Sequence, residues 1–363
     1  MSEDVTSDPV TKTGTRFPCK ECGAMLLFAP GTNALTCVYC GTANEIAAST
    51  ESVEELDYHA QLAALEKTAE TVERRVLKCD SCAAEVEPPP NITATDCPYC
   101  GFHLNITLQT SKGLKPKSLL PFKITRDEAQ GKFFDWLKGR WFAPNRLKNF
   151  ARSESKLNGM YVPYWTYDSA TTSRYTGQRG DAYYVTVGTG KNQRRERRIR
   201  WRDASGTVHV DFDDVLVLAS HGLPQELATS LEPWDLKGVV PYDDAYLSGF
   251  QSECYHINLE QGFDVAKGIM EAGIHSAIRS DIGGDEQRII TVRTDYGSLK
   301  FKHILLPLWI SAYRFHDKVY RFLVNARTGE VQGERPYSWV KITLAALAAL
   351  LVVGVIVLVV SRN

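Results

Sequence analysis

Cys19, Cys22, Cys37 and Cys40 form two Cys-x-x-Cys pairs with fourteen residues between them. Sixty residues downstream, Cys79, Cys82, Cys97 and Cys100 repeat the spacing member for member. The chemistry this suits is metal binding. Two residues between cysteines let one tight turn aim both sulfurs at an ion, and two such turns close a tetrahedron of thiolates. A closed four-sulfur cage leaves no position for water or substrate, so the ion serves structure. It holds together a segment of about thirty residues that is too small to keep a core alone. Two structural Zn2+ ions are expected, one per quartet, because iron in such cages usually belongs to electron-transfer proteins. Gly23, Gly41 and Gly101 each follow a second cysteine, where the backbone often turns left-handed; Ala83 departs from that pattern without removing a ligand.

Other reactive groups are sparse. The ninth cysteine, Cys254, precedes His256 by two residues, and on a strand the two share a face. The reading is a buried thiol beside a hydrogen-bonded imidazole, not a catalytic pair. "GTGKN" at 188–192 resembles the end of a phosphate loop, but Val185 takes the place of the first glycine and Asn192 that of Ser or Thr. "DEAQ" at 127–130 reads as the first turn of a capped helix, not as a helicase box. HExxH, GxSxG and GxGxxG do not occur in the sequence. No catalytic residue is assigned, and the chain is expected not to be an enzyme.

The elements that position the cages follow from periodicity. The fold class is α+β. Residues 1–15 are expected to be disordered, and 16–48 and 78–110 to form two tandem rubredoxin-like zinc ribbons. Between them, 50–77 reads as a connecting amphipathic helix. Tyr58, Leu62, Leu65, Ala69, Val72 and Val76 recur at steps of 4 and 3, and Ser52 with Glu55 makes a capping box. Its seam would pack either on the ribbons or on a partner helix. Residues 115–335 read as one cytoplasmic α+β domain with antiparallel hairpins. A helix capped by Thr125 and Glu128 opens it, with Phe134, Leu137 and Trp141 on one side, and another helix sits among its strands at 258–280. "YVPYW" at 161 and "LLPLW" at 305 echo one another, marking either two related sheet edges or a coincidence.

The net charge of -1 hides a split. Residues 1–113 carry 8 Lys and Arg against 16 Asp and Glu, and the remainder is correspondingly basic. An acidic front argues against nucleic acid as its partner, since phosphate contact needs concentrated Lys and Arg. The basic run "KNQRRERRIRWRD" reads as a solvated hairpin with strands from about Ile199, or as a contact for lipid headgroups.

Ile342–Val360 is nineteen residues without a charge, about 28 Å of helix, which matches the hydrocarbon core of a bilayer. Lys341 and Arg362 flank it, and Tyr337 and Trp339 suit the interface. Residues 341–360 are thus expected to be a transmembrane helix and tail anchor. The opening "MSEDVTSDPV" has no apolar core of an export signal, so the thiols are expected to stay reduced in the cytoplasm, with a single pass through the inner membrane.

The two quartets, "LPFKITRDEAQGKFFDWLKGRWFAPNRLK", "VPYWTYDSATTSRYTGQRGD", "FDDVLVLAS" and the closing apolar span together resemble a bacterial family of membrane-anchored proteins with TFIIB-type double zinc ribbons. Its members often carry primosomal or helicase-like labels. The resemblance implies a non-enzymatic role beside phage-shock and SPFH-type membrane-stress scaffolds, as a membrane receptor that recruits cytoplasmic proteins. The expectation is therefore a membrane-tethered zinc-ribbon adaptor, with the lipid bilayer and a soluble protein as partners and no small-molecule substrate. The alternative is a membrane-tethered zinc-ribbon protein that binds nucleic acid.

Overall fold

A computed structural model describes residues 17–47, 49, 52–67, 71–72, 77–79, 81, 84–87, 94–100, 102–105, 111–112, 114–142, 144, 157–188, 190, 193–315, 318–335 and 337–362. The expected disordered stretch 1–15 lies outside them.

Three short strands open the fold, β1 (Leu26–Phe28), β2 (Ala34–Cys37) and β3 (Ala43–Glu45), paired antiparallel in that order. Leu26, Phe28 and Leu35 point to one buried side, the period-2 pattern of a half-buried sheet. A two-residue strand, β4 (Leu56–Asp57), leads into helix α1 (Tyr58–Lys67). The helix expected across 50–77 is therefore ten residues long. Asp57, not Ser52, caps it, accepting the Ala60 N–H at 2.7 Å. Glu55 is drawn instead to Lys300 and Lys302, at 3.0 and 3.4 Å. Beyond the helix, β-branched Thr71 and Val72 form β5 (Thr71–Val72), which pairs with β10 (Ser111–Lys112). Ala69 and Val76 of the heptad seam lie outside the described residues. Tyr58 rests on Phe263 and Tyr167, with ring centroids 5.1 and 6.4 Å apart, so the seam packs on the chain's own α+β domain.

The second cysteine segment contributes β6 (Leu77–Lys78), β7 (Glu85–Glu87), β8 (Ala94–Asp96) and β9 (His103–Asn105). Then follow β11 (Ser118–Leu119), α2 (Arg126–Lys138), β12 (Asn158–Val187), β13 (Arg194–Leu218), α3 (Gln225–Thr229), β14 (Val240–Pro241) and β15 (Gln251–Glu253). The chain closes with α4 (Leu259–Ile282), β16 (Glu286–Phe315), β17 (Lys318–Asn325), β18 (Val331–Gly333) and α5 (Trp339–Arg362). The Thr125–Glu128 capping box forms in α2, but the face it buries is Ala129, Phe133 and Leu137, and Trp141 lies past the helix end. A second box, Asn258 with Gln261, starts α4.

The frame is a long antiparallel ribbon, β13–β12–β16, inside an eleven-stranded sheet. At about 3.3 Å per residue, β12 alone runs about 100 Å along its contour. Its thirty residues join two segments that read separately in the sequence, and β13 begins at Arg194 rather than near Ile199. Helix α4 lies on one face, burying Phe263, Ala266, Met270, Ile274, Ile278 and Ile282 at helical spacing against Trp165, Tyr167 and Tyr175. Gly262 lets the helix approach Tyr167 and Trp165, where a Cβ would collide with both.

The two prolyl motifs are partners. Tyr161 pairs with Pro307, Val162 with Leu306 and Pro163 with Leu305, so the segments meet about a local two-fold axis. Each proline sits where its strand changes neighbours. On β12 the change is from β15 at Tyr161 to β13 at Tyr164; on β16 it is from β11 at Leu305 to β17 at Leu308. A residue without an N–H fits that gap without breaking a ladder bond. The symmetry extends outward. Trp165 Nε1 donates to the Ile257 carbonyl at 2.8 Å and Trp309 Nε1 to the Ile124 carbonyl at 2.9 Å, each just ahead of a helix cap. Residues 118–219 and 251–326 thus repeat one plan of strand, capped helix, long strand and return strand, each entering strand pairing parallel with the other's long strand.

Candidate metal centres

In the first cluster Cys19 and Cys40 bring their sulfurs within 3.5 Å, as do Cys22 and Cys37, and all four Sγ atoms lie within 4.8 Å of one another. Sulfurs about 2.3 Å from a tetrahedral zinc ion stand about 3.8 Å apart, so the donor set fits that ion. The turns behind it are built for this. Gly23 and Gly41 have φ of 72° and 74° and return their N–H groups to the carbonyls of Cys19 and Cys37 at 2.9 and 3.0 Å. The Thr42 hydroxyl, 3.2 Å away, and its backbone N–H lower the pKa of the Cys40 thiol, while, against the Ala24 N–H, the neighbouring sulfurs push that of Cys22 up, so the thiols of the cluster titrate as one group.

The second cluster brings Cys79, Cys97 and Cys100 together under the same limit, with Cys79 and Cys100 at 3.5 Å. Cys82, Ala83 and Gly101 lie outside the described residues. Cys79 and Cys97 take their N–H bonds to the carbonyls of Ala84 and Phe102, the same turn that Cys19 makes with Ala24. The duplicated knuckles differ in surroundings. Tyr39, between Cys37 and Cys40, is 81% exposed, whereas its counterpart Tyr99 is fully buried. Tyr99 donates its hydroxyl to Glu253 of β15, and Arg321 Nε reaches its carbonyl at 2.9 Å. Ser220 also donates to Glu253, at 2.7 Å. Strand β7 pairs with β15, so this cluster is sewn into the main sheet. The first packs beside it, through Phe28 N–H to Ser248, Gly31 N–H to Phe122 and Tyr246 to Asn33.

A carboxylate group escaped the sequence reading. Both neighbours of β12 carry an extra residue opposite Asp168 and Ser169, with Asp214 and Ser298 at φ of 51° and 47°. The twin bulges turn Asp168 and Asp213 toward Glu55, their oxygens within 4.8 Å of one another. Lysine already supplies the cation: Lys302 lies 2.6 Å from Asp214 and 3.4 Å from Glu55. Burial pushes the Asp168 carboxyl up, against the Asp214 N–H it accepts at 2.6 Å. "FDDV" was the available signal, but its partners lie 46 and more residues away.

Cys254 is buried as expected and His256 is half-buried, but the expected hydrogen bond to the imidazole is not formed among the described residues: its ring nitrogens lie 3.7 Å from Glu253 and 4.0 Å from Glu85. Burial lowers the His256 pKa, with Glu85 opposing, and the ring stacks on His221 at 5.5 Å. Cys254 lines a cavity of about 310 Å³ with Glu253, Tyr255 and His303.

The basic run forms the end of the β12–β13 hairpin. Arg197, Arg198 and Arg202 pair with Glu286, Glu196 and Asp181. Arg195 and Arg200 lie over Tyr184 and Tyr183, at 5.4 and 5.3 Å. At the opposite end of the long sheet stands α5, 24 residues long and apolar, its apolar stretch not buried against the described residues, which makes it a candidate membrane span.

Fold and sites define a mixed α+β protein with two cysteine clusters able to hold metal and one C-terminal helix long and apolar enough to cross a bilayer. It is similar to YdjG of Bacillus subtilis (strain 168), a protein described as uncharacterized, with 27% identity over 228 residues. That match covers 62% of this chain and 65% of YdjG, so the chain spans just under two thirds of this relative. No family model matches, and no solved structure does.

Proposed function

We propose that the protein is a membrane-tethered zinc-ribbon adaptor that docks a cytoplasmic protein at the inner membrane. Cys19, Cys22, Cys37 and Cys40 would hold one zinc ion, and Cys79, Cys82, Cys97 and Cys100 a second. Each ion supplies a crosslink and no open coordination position. Thiolate ligands need a reducing compartment, which favours the cytoplasmic side for the bulk of the chain. The observation that carries the docking role is the first knuckle. Val38 and Tyr39 are 66% and 81% exposed on a turn that its metal would hold rigid, where the buried Tyr99 marks the equivalent position already in use. An exposed aromatic on a rigid turn is the kind of anchor that interfaces use. The resemblance to membrane-stress receptors points to a phage-shock-type or SPFH-type scaffold as the partner.

In-cell crosslinking of the intact protein tests this. The wild type should carry a scaffold of that kind, and Val38→Asp with Tyr39→Asp should lose it while keeping two equivalents of zinc. An unchanged crosslinking profile sinks the reading. A second reading, nucleic-acid binding, rests on the Arg-rich hairpin end with its aromatic partners. Salt-sensitive retention of duplex DNA, abolished by Arg194→Glu with Arg195→Glu, would favour it.

A further inference from the structure

Trp141 and Phe142 follow the end of α2 on a turn, 58% and 36% exposed, with ring centroids 5.2 Å apart. Two adjacent aromatic side chains facing water are costly unless something covers them. Their position names the cover. The Phe142 carbonyl accepts the Ser338 N–H at 2.9 Å, and the Ser338 carbonyl in turn accepts the Ile342 N–H at 3.1 Å, opening α5. The turn is therefore pinned to the residue that starts the apolar helix, four residues before its uncharged run begins at Ile342. That separation is about 6 Å along a helix axis. Tyr337 and Trp339, 57% and 80% exposed, flank Ser338 in the chain. Arg335 lies over Tyr337 at 5.3 Å, and Lys138 and Arg140 precede the turn. Four exposed aromatics joined through the Phe142–Ser338 hydrogen bond, with Arg335 over one of them and Lys138 and Arg140 close by in the chain, have the composition of a membrane–water interface, where amphipathic rings and snorkelling cations are favoured.

We infer that Trp141 and Phe142 form a second lipid contact, set into the headgroup layer beside the root of α5. This rests on the reading of α5 as a membrane span. The contact comes from residues about 200 positions upstream of the anchor, on an element packed into the core through Phe133 and Phe322 at 4.8 Å. A lone helix joined by a short linker leaves the domain free to swing. Two points of attachment fix its tilt, and with it the direction in which the long sheet leaves the membrane.

Reconstitute the full chain into phosphatidylcholine–phosphatidylglycerol vesicles with and without bromine on carbons 6 and 7 of the acyl chains, and measure tryptophan quenching. Compare wild type, Trp141→Phe, Trp339→Phe and the double variant. Both changes are at exposed positions, so thermal transitions should match the wild type. The expected result is that each single change lowers the quenched fraction and the double change lowers it further. Quenching lost with Trp339→Phe but unchanged by Trp141→Phe overturns the inference and leaves the anchor standing. Quenching unchanged by either substitution overturns both.

Discussion

Lys302 shows how single residues set the stability of this protein. Its ammonium is largely buried among Glu55, Asp168 and Asp214, and burial alone would lower its pKa. The Asp214 hydrogen bond and the surrounding carboxylates win, and the pKa rises. Lys302→Met should therefore cost about 3 kcal/mol at neutral pH, because it strands several carboxylates in a half-dry pocket. Thermal unfolding of the detergent-solubilised protein measures this; a loss below about 1 kcal/mol would mean water replaces the ammonium. The difference depends on pH. Lys300, and then Lys302 through its charge, hold the Glu55 carboxyl below its ordinary value of 4.5. Glu55 thus stabilises the fold above pH 4.5, and that part is lost as the pH falls through the lower folded value. Wild type and variant should converge in acid. The two cysteine clusters, four sulfurs in the first and three described in the second, were legible because their chemistry is local, two sulfurs per turn. This network was not, since its members lie 46 to 247 residues apart and meet only through two bulges.

Among the elements, local signals survived where nothing competed with them. Thr125 and Glu128 cap α2 as their spacing predicts, and α4 buries the face its periodicity implies. The helix expected over 50–77 starts late because Glu55 and Leu56 are held by an ion pair and a strand position, and its far end gives way to the strand pairing of Thr71 and Val72 with β10. Tertiary pairing overrode a good heptad pattern. The prolyl echo was visible, but its meaning depended on register. Trp165→Phe and Trp309→Phe test the repeat. Each removes one buried N–H bond to the carbonyl ahead of a helix cap and leaves a small void, for about 2–3 kcal/mol. Hydrogen exchange should then rise in the first turn of α4 for Trp165→Phe and of α2 for Trp309→Phe. A uniform rise across both helices in either variant would show that the two hydrogen bonds do not act on their own helix starts.

For the molecule as a whole, the question is whether the acidic front is a separate head. Its charge and its cages suggest one, but the packing does not. Cys19, Leu26, Phe28 and Cys37 share a core with Phe122, Tyr161 and Trp309, and Leu77, Cys79, Val86 and Tyr99 share another with Met160, Val162 and Leu306. The two cysteine clusters therefore sit at the root of the long sheet, near α5, while the Arg-rich hairpin end lies at the far end of β12. A fragment of residues 1–113 strips both clusters of these neighbours, but the first keeps its own three-stranded sheet β1–β3, whereas β7 of the second loses its strand partner β15. Leu77, Val86 and Tyr99 would lose their burial, at about 1.5–3 kcal/mol each. Because metal binding and folding are one equilibrium in so small a unit, that loss weakens the second ion by at least about 100-fold. In a chelator titration the full chain should release its two zinc ions together at high chelator, and the fragment should release one of its two far earlier. Equal retention of both ions by the fragment would make the front an autonomous head after all, and the sheet would then contribute nothing to the second cluster.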